Sequence, residues 1–192
     1  MKGDIKTVLE FWFGQHGDAE WATMREVWFT KSDDFDQQCR DACLSLHERA
    51  AVGKLEEWAE TSDGALALII LLDQMPRNMF RGTPRMYASD PKARALAELI
   101  DARGFKRDYT DVQSLFSDLP FEHAENLDDQ VRHVAFVENH YNGPQRESCL
   151  TAALRHHEIV ERFGRFPHRN DILGRETTPE EADFLKEPMS SF

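Results

Sequence analysis

"SDGALALIILLDQM", Ser62 to Met75, is apolar at every position from Ala65 to Leu72. A surface helix would carry polar side chains along one side of its 3.6-residue period, so a stretch apolar nearly all round predicts a helix at the centre of a bundle. Pro76 predicts its end, because proline lacks the N–H that an interior helical position donates. Leu66, Ile69, Ile70, Asp73 and Arg77 fall on one face. A carboxylate and a guanidinium therefore sit at one end of an otherwise apolar helix, free to pair with each other or to seek partners elsewhere.

Helical period and punctuation continue on both sides, with little strand alternation. A first helix over 4–13 stops at Gly14, and a second starts from a Ser32 or Asp33 cap and stops at Gly53. "SDPKARALAELIDARG" starts with Asp90 as N-cap and Pro91 in first helical position, and ends at Gly104. Long helices follow over 122–140 and 144–163, separated by "YNGP". "TTPEEADFL" is a capping box, with Thr178 as cap, Pro179 first and Glu181 third. The expected fold is all-α: one domain over 1–192, a helical bundle of antiparallel helix hairpins with no low-complexity linker.

Composition narrows the function classes. The 192 residues are 41% hydrophobic and 30% charged, enough for one sizeable core. Lysine and arginine total 23 against 35 acids, a formal net charge of −12 that argues against nucleic acid or an anionic membrane as partner. The apolar run is too short to span a bilayer, and the N-terminal stretch has acids where a signal peptide needs an apolar core. Three cysteines, with Cys39 and Cys43 neighbours on one helix, suit a reducing cytoplasm rather than a disulfide framework. Trp12, Trp21 and Trp28 lie among other aromatics, a pattern that predicts core packing.

Against that acidic background, five arginines (155, 162, 165, 169 and 175) fall between residues 155 and 175, with only Glu158, Glu161 and Asp171 to balance them. "RFGRFPHRN", residues 162–170, carries three of the five. Arg162 and Arg165 sit where cations complement a helix C-terminus, whereas His168 and Arg169 lie beyond it, after Pro167. Polar residues also fall on apolar helix faces. His123, Leu127, Gln130, Val134 and Val137 form one stripe, and Leu150, Ala153, Leu154, His157 and Val160 another, so His123, Gln130 and His157 are expected to point inward. "PRNMFRG" from Pro76 and "PHRNDILG" from Pro167 share Pro, Arg-Asn and Gly, as two hairpins of common design would. No GxSxG, Walker or GxGxxG motif occurs, and "HHEIVE" lacks the ligands of a zinc site, so neither a metal nor a cofactor is expected.

"VLEFWFG", "LIILLDQMPRN", "LPFEHAENLDDQ" and "RFGRFPHRNDILGRETTPEEADFL" together resemble a bacterial family known as domain of unknown function 924. The resemblance runs in order from Val8 to Leu185. It implies an all-helical fold of tetratricopeptide-like architecture with no established activity. The family's motif positions fall here on Trp12, Asp73, Gln74, Arg77, Asn78, His123, Glu125, Gln130, Arg162, Arg165, His168, Arg169 and Asn170. The sequence departs from the pattern at Met75, Phe121, Glu122 and Ala124.

Three readings follow from the residues. In the first, Asp73, Arg77, Asn78, Gln130, Arg165, His168, Arg169 and Asn170 line a pocket for a small carboxylate or phosphate, with His123 beside Glu125 as acid or base for hydrolysis or group transfer. In the second, helical hairpins clamp an acidic peptide, although no 34-residue repeat is visible. In the third, the same side chains form a satisfied buried network with no ligand.

Overall fold

In the computed structural model, which describes residues 2–192, α1 (Lys2–Phe13) and α2 (Asp33–Ala51) end where expected, just before Gly14 and Gly53. Ser32 caps α2 by accepting the Phe35 N–H. The central segment begins as α3 (Ser62–Ile69), with Thr61 as its cap. Gly64 is required there, since a Cβ would lie 2.1 Å from the Trp58 carbonyl oxygen.

Pro76 does not end this helix. The chain passes through a π turn (Ile70–Gln74) and continues as α4 (Met75–Met79). Proline is accommodated because the carbonyls it cannot serve find other donors. Leu72 O, four residues before Pro76, accepts from Ser89 Oγ at 2.6 Å. Leu71 O accepts from His47 Nδ1 at 2.8 Å. Within the turn, Met75 N–H reaches back five residues to Ile70 O.

Next, α5 (Asp90–Arg103) takes Ser89 as its N-cap residue, one position before the expected Asp90, and closes on Gly104 at φ +66°. The expected helix over 122–140 is instead two. α6 (Asp111–Glu122) is opened by a Thr110–Gln113 capping box, and α7 (Leu127–Asn139) starts from Asn126, whose side chain accepts the Asp129 N–H. The turn between them contains neither glycine nor proline, and Pro120 lies inside α6 rather than ahead of a helix.

α8 (Arg146–Phe163) starts two residues later than expected and buries Ala153, His156, Ile159 and Val160. The inward face is therefore rotated from the one predicted. Leu154 is exposed and His157 half-buried, while His156 packs edge-on against Phe166. Beyond Gly164 a 3-10 turn (Pro167–Arg169) leads to α9 (Pro179–Phe184), where Thr178 and Glu181 form the expected capping box.

The fold is all-helical, with no strand among the described residues. Its main core gathers around α3 and includes an aromatic cluster in which Trp12 stacks on Trp28 at 5.7 Å and both meet Phe116 edge-on. Cys39 and Cys43 are buried in it as free thiols. A smaller cluster of Ile159, Val160, Phe166 and Phe184 fastens the arginine-rich loop to the end of α8. No helix among the described residues is long and apolar enough to cross a membrane.

Candidate functional site

Asp73 lies in the π turn and is wholly buried. Its carboxylate accepts the Gln74 side-chain amide at 2.6 Å and His123 Nδ1 at 2.8 and 2.9 Å to its two oxygens, with Arg77 Nη2 at 3.5 Å. Burial alone would raise the Asp73 pKa, but His123 and Arg77 outweigh it and hold the group down to about 2. An ionised Asp73 engages His123 through Nδ1 and leaves Nε2 on the other side of the ring. That nitrogen makes no hydrogen bond among the described residues, and His123 borders a cleft of about 430 Å³.

His123 sits at the C-terminal end of α6, not on the α7 stripe. Gln130 is what holds it there. From α7 its Nε2 donates to the carbonyls of Phe121, Glu122 and Ala124 at 3.2, 2.6 and 2.8 Å, closing the turn that carries the histidine. Gln130 is thus brought to the site as a positioning residue, fully buried behind the cleft.

Two arginines meet at Asp90. Arg77 donates to its two oxygens at 3.0 Å each and to Met86 O at 2.8 Å. Arg169, 7% exposed, places Nη1 at 3.7 Å from Asp90 Oδ2 and sits over the rings of Tyr87 and Phe166 at 4.6 and 4.5 Å. Its guanidinium makes no hydrogen bond among the described residues, and its Nε is buried without a partner. Burial, then the charge of Arg77, lowers the Arg169 pKa. The Pro-Arg-Asn echo acquires a spatial meaning here, because Arg77 and Arg169 are its two arginines.

The remaining expected site residues are occupied elsewhere. Arg165 forks onto Glu181 at 2.6 and 2.8 Å, and the Asn170 amide donates to the same carboxylate at 3.3 Å, so both brace the C-terminal loop. Arg162 pairs with Glu180. Asn78 accepts from Arg81, which forks onto Asp36. Glu125 lines the cleft but does not bond to His123. It accepts two bonds from Arg175 at 2.7 Å each and one from the Phe166 N–H at 2.9 Å, so its carboxylate holds the wall in place. Burial pushes the His168 pKa down to about 3, helped by Arg169 and His156, which keeps that imidazole neutral.

Tyr87, Asp90 and Arg175 belong to the cleft and carried no sequence signal for it beyond the arginine excess. Asp90 reads as a helix start in sequence, and only the fold brings both arginines to it. Behind α6 a second buried group joins Asp118, His133 and Glu122, with His133 Nδ1 at 2.7 Å from Asp118 and Nε2 at 3.6 Å from Glu122. A larger cavity of about 610 Å³ lies beside it, but its cations, Lys106 and Arg132, are both paired with Asp101. Among the described residues no group of three or more His, Cys, Asp or Glu side chains is arranged so that it could hold a metal ion.

A family model described as "Bacterial protein of unknown function (DUF924)" matches residues 8–189. A solved structure of a protein of unknown function from Agrobacterium tumefaciens is similar at 40% identity and a TM-score of 0.83, covering 96% of this chain and 98% of that one. No curated protein matches.

Proposed function

The chain belongs to the bacterial family of unknown function DUF924, and we propose that it binds a small organic anion in the cleft between α5, the α6–α7 turn and the 167–175 loop, with Asp73 and His123 as an acid–base dyad beside it. One observation carries the reading: Arg169 is a buried cation with no hydrogen-bond partner, in the wall of an open cleft. Asp90 approaches Arg169 only to 3.7 Å and already serves Arg77, so the buried guanidinium lacks a hydrogen-bond acceptor, which an anionic ligand supplies. A purely structural network would have given it a hydrogen-bonded carboxylate fork, as it gives Arg165, Arg175 and Arg81.

His123 completes the chemistry. With Nδ1–H held by Asp73, Nε2 can take a proton from water or from a ligand hydroxyl and return it to a leaving group, the requirement for hydrolysis or group transfer on the bound anion. The free cysteines support a cytoplasmic setting for this reaction. The reading is tested by titrating acetate, phenylacetate and phosphate into wild type and Arg169→Met by calorimetry. Binding to wild type and its loss in a folded variant is the expected result. No heat with any anion, together with unfolding of Arg169→Met, would falsify it.

A further inference from the structure

We propose that the ligand is a monocarboxylate with an apolar body, an assignment that rests on the anion-site reading above. The charge of the cleft is the first ground. Arg94, Arg169 and Arg175 in its lining, with Arg77 bonded to the lining residue Asp90, are matched by Asp90, Glu125 and Asp129 in the lining and by the buried Asp73. Apart from His123 the surroundings are neutral, which suits one negative charge and opposes two.

The number of free donors is the second. Arg94 forks onto Asp129 at 2.5 and 2.8 Å, Arg175 forks onto Glu125, and Arg77 is occupied by Asp90 and Met86 O. Of these four, Arg169 is the one whose guanidinium makes no hydrogen bond at all among the described residues, and one planar fork matches the two oxygens of one carboxylate.

Phosphate sites draw on backbone N–H groups at helix starts, and here several of these are already occupied. At α5, Pro91 has no N–H, while Lys92 and Ala93 both donate to Ser89 O at 3.0 and 3.1 Å. At α7, Asp129 N–H goes to the Asn126 side chain and Gln130 N–H to Asn126 O, each at 3.1 Å. The rest of the lining is mostly apolar: Pro84, Tyr87, Pro91, Pro120 and Leu173 offer rings and aliphatic surface, with the Tyr87 hydroxyl and the Asn126 side chain as its uncharged hydrogen-bonding groups. An anion anchored on Arg169 extends its body over these groups, with its reactive position toward His123.

Isothermal titration of four probes into the intact protein tests this: acetate, phenylacetate, inorganic phosphate and phenyl phosphate. Phenylacetate is expected to bind at least tenfold more tightly than each of the other three. Leu173→Ser, a variant of the wall that leaves the charges untouched, should narrow the gap between phenylacetate and acetate. Equal or tighter binding of phenyl phosphate or phosphate, lost in Arg169→Met, would overturn the monocarboxylate assignment while leaving the anion site standing. Absence of binding by all four would overturn both.

Discussion

Arg169 stops 3.7 Å short of Asp90, whose two oxygens already accept Arg77 at 3.0 Å. One carboxylate thus serves two guanidinium groups, and the more deeply buried of the two is left without a hydrogen bond.

Removing that charge should not weaken the fold. Arg169→Met keeps most of the side-chain volume and its packing on Tyr87 and Phe166, while removing a buried cation that has no hydrogen bond and only a 3.7 Å approach to Asp90. We expect a gain of about 1 kcal/mol, or roughly 2–4 °C in melting temperature. Arg165→Ala, on the other side of the loop, should leave anion affinity unchanged. Differential scanning calorimetry with and without phenylacetate checks both. A loss of several kcal/mol in Arg169→Met would instead mark it as part of the structural frame.

Asp73 links stability to acid. Its folded pKa is about 2 against an ordinary 3.8, so its contribution is fully present above pH 3.8 and is lost as the pH falls toward 2. At about 1.4 kcal/mol per unit this amounts to roughly 2 kcal/mol. In Asp73→Asn the unfolding free energy should drop by a similar amount at pH 5 and fall less steeply between pH 4 and 2.5. Urea titrations at those pH values measure it, and a variant curve parallel to wild type would count against the dyad.

His168 acts at milder acidity. Because its folded pKa is depressed to about 3 from 6.5, the unfolded chain takes up a proton that the folded one refuses, and stability declines as the pH drops below 6.5. Between pH 6.5 and 5 the loss is about 2 kcal/mol. His168→Gln should remove most of that slope. Chemical denaturation at pH 7 and 5 reads the difference, and an unchanged slope would show that His168 is protonated in the fold.

Gln130→Leu should loosen the turn that carries His123. Three carbonyls lose their shared donor, at an expected cost of about 2–3 kcal/mol. NMR of the His123 imidazole should show a shifted or broadened signal, whereas a signal identical to wild type would separate Gln130 from the site.

How much of this was legible in the sequence varies with the kind of signal. Caps and stops were clear, because Ser32, Gly104 and the Thr178–Glu181 box act through their own backbone neighbours. The break at residues 123–126 was hidden: the apolar stripe runs on in phase across it, and Asn126 is its one local marker. The swap of His157 for His156 has a similar origin, since two adjacent histidines differ by one step of rotation and α8 is set by the α7 face it packs on. For the cleft, Asp73, Arg77, His123 and Arg169 were recognisable as polar groups out of place. Which arginine meets which acid was not, because Arg165 with Glu181 and Arg175 with Glu125 are matched by tertiary folding and not by spacing.

The π turn at residues 70–74 also has a bearing on how such a site is made. A π turn is an α-helix carrying one extra residue, and a single residue turns everything beyond it by about 100°. Deleting one residue between 70 and 74 would restore α-helical register up to Pro76, keep the apolar run almost unbroken, and swing Arg77 away from Asp90. The difference between an ordinary core helix and one that sets Asp73 against His123 and Arg77 against Asp90 is, for this chain, a single residue.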